Sequence, residues 1–121
     1  MRQMALDLST RYHCPLTPEE RAELFGLWVE QNPVAMSWME GKALSLAARG
    51  VPRVSTKYLV EALRYETGIK PAPCAFWDLD GNRHEFSVNN DHTALLARWL
   101  LARHPGLPIE RRRSRNDEEA T

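Results

Sequence analysis

Two Xaa-Pro steps, Thr17-Pro18 and Asn32-Pro33, cut the first half of this chain into helix-length pieces and constrain its fold more than any other feature. Proline lacks an N–H and has a fixed φ, so it suits the first position of a helix and few later ones. Thr17 supplies a capping oxygen ahead of Pro18, and Glu20 completes a capping box. Leu24, Leu27 and Trp28 then recur at helical spacing, with Phe25 and Val29 widening the apolar face, so a helix is expected to about Gln31. Asn32-Pro33 repeats the chemistry, Asn32 capping and Pro33 leading. Met36, Met39, Ala43, Leu46 and Ala47 keep the rhythm up to Gly50, a natural helix C-terminal residue.

Gly50-Val51-Pro52-Arg53-Val54 has room for a turn, and Ser55 caps a third helix expected over Thr56 to Thr67, with Leu59, Val60 and Leu63 inward and Gly68 closing it. After the Pro71-Ala72-Pro73 loop the period changes. Ala75 to Leu79 and Arg83 to Val88 flank Asp80-Gly81-Asn82, a strong hairpin signal. Asn89, Asn90 and Asp91 offer caps for a last helix from about His92 to Arg103, with Leu95, Leu96, Trp99 and Leu100 inward and His104-Pro105 ending it. The expectation is a mainly α fold with one β-hairpin (α+β), a compact four-helix domain that is helix-turn-helix or winged-helix-like. Residues 1–16 form an N-terminal extension, 17–109 a single domain with its hairpin at about 75–88, and 110–121 a charged flexible tail.

The 121 residues suffice for one core, and a hydrophobic fraction of 43% with 26% charged residues is ordinary for a globular chain. No run approaches the ~18 apolar residues of a membrane span, and Met1 to Asp7 do not read as a leader, so no membrane partner is expected. Cys14 and Cys74 have no neighbouring cysteine and are expected as reduced thiols in a cytoplasmic protein.

Sixteen basic and sixteen acidic side chains cancel overall, which argues against a simple polycation. Their order is polarised. Residues 1–41 hold three basic against six acidic groups, whereas residues 42–70 hold six basic against two acidic. Two helices joined by a short Gly-containing turn, with a hairpin after them, follow the order of a helix-turn-helix with a wing. On that reading Thr56, Lys57 and Tyr58 of the third helix face base edges, while Arg49, Arg53 and Arg64 reach phosphates. A usual winged helix, however, has two helices between its first helix and its wing; here one follows the turn. Arg111, Arg112, Arg113 and Arg115 form a second basic run that could lie along nucleic acid as an arm, answered at once by Asp117, Glu118 and Glu119. The plainer alternative is that these cations form a solvated face and a solubilising tail.

For metal binding the tempting set is His13, Cys14, Cys74 and His84, but it offers one close pair where structural zinc draws on two, so no metal is expected. Cys74, beside Phe76 and Trp77, reads as a small buried hydrophobe. Asp78-Leu79-Asp80-Gly81-Asn82 starts like a calcium loop, but its glycine comes too early and no closing glutamate follows, so it reads as a turn. His84, Asp91 and His92 would make a hydrolytic site only if they converged. No cofactor and no enzymatic activity are expected. Trp28, Trp38, Trp77 and Trp99 fall one to an element and read as core, although an outward Trp77 would suit stacking or docking.

Asn32-Pro33, Leu46 to Gly50, Tyr58 to Glu66, Phe86 to Asn90, Ala97-Arg98 and His104-Pro105 occur in an order that resembles a set of short phage and prophage proteins of unassigned function, over roughly residues 25–113. Arg64, Asn89, Asn90 and Arg98 match that pattern, which makes them binding candidates. His92 or Thr93 stands where similar proteins often carry an aromatic. The resemblance implies an accessory role without a known reaction. The expected partner is DNA, with a protein partner, met through the hairpin and an apolar patch, as the alternative.

Overall fold

The computed structural model of the chain describes residues 10–88 and 92–110. Four α-helices and one antiparallel hairpin follow in the order α1 (Pro18–Gln31), α2 (Pro33–Ala48), α3 (Thr56–Ala62), a π-helical turn (Leu63–Thr67), β1 (Cys74–Trp77), β2 (Arg83–Phe86) and α4 (Thr93–Arg103). The fold is mainly α with one β-hairpin, as the periodicities indicate.

α1 begins as its sequence prescribes. The Glu20 N–H donates to Thr17 Oγ1 over 3.1 Å, and Glu20 Oε1 accepts from the Thr17 N–H over 3.0 Å, so two of the donors orphaned at a helix start are satisfied reciprocally. α2 ends in a Schellman motif: Val51 N–H donates to Leu46 C=O, Gly50 N–H donates to Ala47 C=O, and Gly50 sits at φ 87°, a left-handed conformation that favours glycine. Ser55 caps α3 by accepting from the Tyr58 N–H over 3.1 Å.

Asn32 departs from expectation. Its side chain is not turned to the first turn of α2. It accepts from the Ala72 N–H over 2.7 Å and donates to the Ala72 and Trp28 carbonyls over 3.0 and 2.9 Å. A carboxamide carries both a donor and an acceptor and so matches a peptide group, which a cap would use on one side only. The third helix reaches Thr67 as expected, but it widens into a π turn at Leu63.

The structure divides into two compact units, each discontinuous in sequence. Unit one comprises the chain up to Pro33 with Pro71–Ser87. In it α1 packs on both strands, and Tyr12, Leu24, Trp28, Cys74, Phe76 and Phe86 are buried. Tyr12, from the stretch expected to precede the domain, is only 2% exposed. Unit two comprises Val34–Lys70 and the chain from Val88 onward, with α3 packed on α4 and Met39, Leu59, Leu63, Leu96 and Leu100 buried. Trp28 is the fully buried tryptophan; Trp38, Trp77 and Trp99 are half-buried. No helix among the described residues is long and apolar enough to cross a membrane.

Candidate functional site

In unit two, Arg49, Arg53, Lys57 and Arg64 are all exposed. Lys57 and Arg64 lie two helical turns apart, with half-buried Glu61 between them. Lys42, a further cation of residues 42–70, is committed: its Nζ lies 3.1 Å from Glu66 Oε1 and near the Trp38 and Tyr58 rings. The hydrogen bond to Glu66, assisted by its charge and by Tyr58, raises the Lys42 pKa, and the same bond to Lys42 lowers that of Glu66. This pairing takes one cation and one anion together, so the local positive excess stands.

The expected base-edge readers fare differently. Thr56 is 6% exposed, turned inward directly after the Ser55 cap, and cannot face a groove. Tyr58 is exposed, but its hydroxyl donates to Glu66 Oε2 over 3.1 Å. Of that trio only Lys57 is both exposed and, among the described residues, without a side-chain partner. Arg98 is exposed on α4, with interactions of its own. Asn89, Asn90, Arg111, Arg112 and Arg113 lie outside the described residues.

A contact between distant segments lies beside Arg53. Val54 and Ile109 form a parallel bridge: Val54 N–H donates to Pro108 C=O over 2.7 Å, and Glu110 N–H donates to Val54 C=O over 2.8 Å. Glu110 is thereby held at the backbone between Arg53 and Ser55, and Arg111 follows it in the chain. Nothing in the spacing of residues 54 and 109 announces this pairing. Tyr65, 79% exposed beside Arg64 on the π turn, is a further candidate; its place off the Leu59, Val60 and Leu63 stripe makes it legible in principle.

Unit one holds a second cluster. A parallel bridge joins Tyr12 to Asp78, and Tyr12 N–H donates to Trp77 C=O over 2.9 Å, fixing the approach of the chain to the hairpin. The Tyr12 ring meets Phe76 edge-on and its hydroxyl donates to Glu23 over 2.7 Å; burial first, and Glu23 second, raise its pKa. Asp78 is 7% exposed and opens the hairpin turn. Its Oδ1 accepts from the Asp80 and Asn82 N–H groups, each over 2.9 Å, and its Oδ2 lies 2.8 Å from His84 Nε2. The His84 bond, followed by the Asn82 N–H, lowers the Asp78 pKa to about 2. His84 stacks on Phe76 at 5.3 Å, and the exposed Cys14 Sγ stands 3.8 and 3.9 Å from its two ring nitrogens.

The sequence singled out Cys14 and His84 but grouped them with Cys74 and His13. Cys74 is instead buried, its thiol pushed up by burial and opposed in part by the Gln31 amide, and His13 Nδ1 lies 3.1 Å from Glu20. Asp78, read as a turn residue, is indeed one, and also completes the cluster. Of the hydrolytic trio, His84 pairs with Asp78, His92 belongs to unit two and Asp91 lies outside the described residues. No protein-family model, no curated protein and no solved structure matches this chain.

Proposed function

We propose that this is a small phage- or prophage-type accessory protein that binds nucleic acid, chiefly through phosphates, at a basic region formed by Arg49, Arg53, Lys57 and Arg64 and continued by Arg111, Arg112 and Arg113. One observation carries the reading: the Val54–Ile109 bridge holds Glu110, the residue that precedes the second basic run in sequence, at the backbone beside Arg53. Clustered cations bind by releasing condensed counterions, which needs no base-edge code. The burial of Thr56 and the engagement of Tyr58 favour such sequence-tolerant contact over groove reading by the first turn of α3. Exposed Tyr65 beside Arg64 supports single strands as ligands, since bases stack on an aromatic face. The two free thiols suit a reducing cytoplasm.

Binding to random duplex and single-stranded DNA, titrated with salt, tests this reading. The intact protein is expected to bind at low salt and to weaken as salt rises. A variant with Arg49, Arg53, Lys57 and Arg64 changed to Ala should show a slope shallower by about one for each phosphate that the altered side chains no longer neutralise. Absence of binding at low salt by the folded protein would sink the reading. The alternative, a protein-binding module, draws on Leu79, 60% exposed at the hairpin tip beside half-buried Trp77.

A further inference from the structure

We infer that Cys14, Asp78 and His84 form a binding site for a divalent transition metal of the zinc class, with one coordination position open to water. The inference rests on unit one and is independent of the nucleic-acid reading.

The three side chains come from segments far apart in sequence, yet their thiol sulfur, carboxylate oxygen and ring nitrogen all lie within 4.8 Å of one another. Each is positioned by structure outside the cluster. The Tyr12 bridge delivers Cys14 two residues later, the turn N–H groups of Asp80 and Asn82 hold the Asp78 carboxylate, and Phe76 supports the His84 ring. Such outer contacts orient metal ligands before the ion arrives.

Two of the three donor separations lie near those around a tetrahedral ion. Bonds of the usual zinc lengths place nitrogen and oxygen donors about 3.3 Å apart, and sulfur and nitrogen about 3.6 Å apart. Here His84 Nε2 and Asp78 Oδ2 are 2.8 Å apart, and Cys14 Sγ and Nε2 are 3.8 Å apart. The first pair must part by ~0.5 Å. Sγ, nearly equidistant from the two ring nitrogens, stands to the side of the Nε2 lone pair, so the exposed Cys14 side chain must also rotate about its Cα–Cβ bond to reach an ion seated there. The ion takes the place of the proton shared between Nε2 and Oδ2; the imidazole proton moves to Nδ1 and the Cys14 thiol proton is released to solvent.

The donor set selects the metal. Magnesium and calcium take oxygen ligands, whereas one sulfur, one nitrogen and one oxygen suit zinc and its neighbours. With Cys14 exposed and the His84 side chain 34% exposed, water can fill the fourth position. A thiol–imidazole nucleophile accounts less well for the geometry. Nε2 is already directed at Asp78, which leaves the thiol only Nδ1, 3.9 Å away, as a base.

The test is titration of the reduced full-length protein with Co2+, followed by displacement with Zn2+. One equivalent of Co2+ is expected to give thiolate-to-cobalt charge-transfer absorption and tetrahedral visible bands, which Zn2+ bleaches. Cys14→Ser, at an exposed position, should fold normally by circular dichroism and lose the charge-transfer band. His84→Gln should weaken affinity more than about tenfold, since loss of a ligand costs at least what loss of an outer contact does. No charge-transfer band in folded wild-type protein, or an unchanged band in Cys14→Ser, overturns the site. Rapid alkylation of Cys14 without cobalt binding also overturns it, assigning the cluster to thiol chemistry. If His84→Gln does not fold, the Cys14→Ser result alone decides.

Discussion

Asn32 is 7% exposed and both donates to and accepts from the Ala72 backbone, replacing for that peptide the partner a sheet neighbour would supply. Asn32→Ala removes these two bonds and the one to the Trp28 carbonyl, and strands buried polar groups, so a loss of about 2 kcal/mol is expected, read as a lower urea midpoint at unchanged slope. An Asn before a Pro reads as a cap, and nothing local distinguishes a cap from a side chain matched to a peptide forty residues away. Glu40 illustrates a charge-dependent contact. The Arg103 guanidinium, 2.7 Å away, lowers its pKa first and foremost; burial opposes this and His104, also at 2.7 Å, adds to it. A carboxylate depressed in the folded state contributes stability above its unfolded pKa and loses it as pH falls through the folded value. The thermal midpoint should therefore fall with acidification below the ordinary carboxylate range more steeply in wild type than in Glu40→Gln. Equal slopes would show that the Glu40 pair contributes nothing.

The hairpin shows which elements are legible. Its two four-residue strands pair Cys74 with Phe86 through Trp77 with Arg83. The turn closes by Gly81 N–H donating to Asp78 C=O, with Gly81 at φ 86°. That is a type I turn followed by a left-handed residue, as an Asp-Gly-Asn run invites. A Cβ on Gly81 would meet nothing within 4 Å, so Gly81→Ala isolates backbone strain; about 1 kcal/mol of destabilisation is expected in chemical denaturation. No loss would mean that the turn relaxes to another type. The π turn at Leu63–Thr67 was not legible, since its wider winding leaves no mark on the apolar spacing of Leu59, Val60 and Leu63. There Thr67 donates its hydroxyl to Leu63 C=O and accepts from the Ile69 N–H, local bonds that accompany the altered winding.

Both units recruit two stretches of chain, so neither is contained in one continuous segment. A fragment ending at residue 70 lacks the hairpin of unit one and α4 of unit two. It should retain some helical circular dichroism but melt without a cooperative transition; a sharp two-state melt would show that the non-local contacts are dispensable. The sequence by itself determined the helix starts at Thr17 and Ser55, the helix end at Gly50, the hairpin turn at Gly81 and the buried identity of most apolar residues. Each of these rests on a hydrogen bond or steric preference acting within a few residues, or on a period that marks one face. Only the tertiary structure decided that Val54 meets Ile109, that Asn32 meets Ala72, that Thr56 turns inward and that Cys14 reaches His84 and Asp78. Those contacts join partners whose spacing carries no period and no local signature, and they form only once the elements between them have packed.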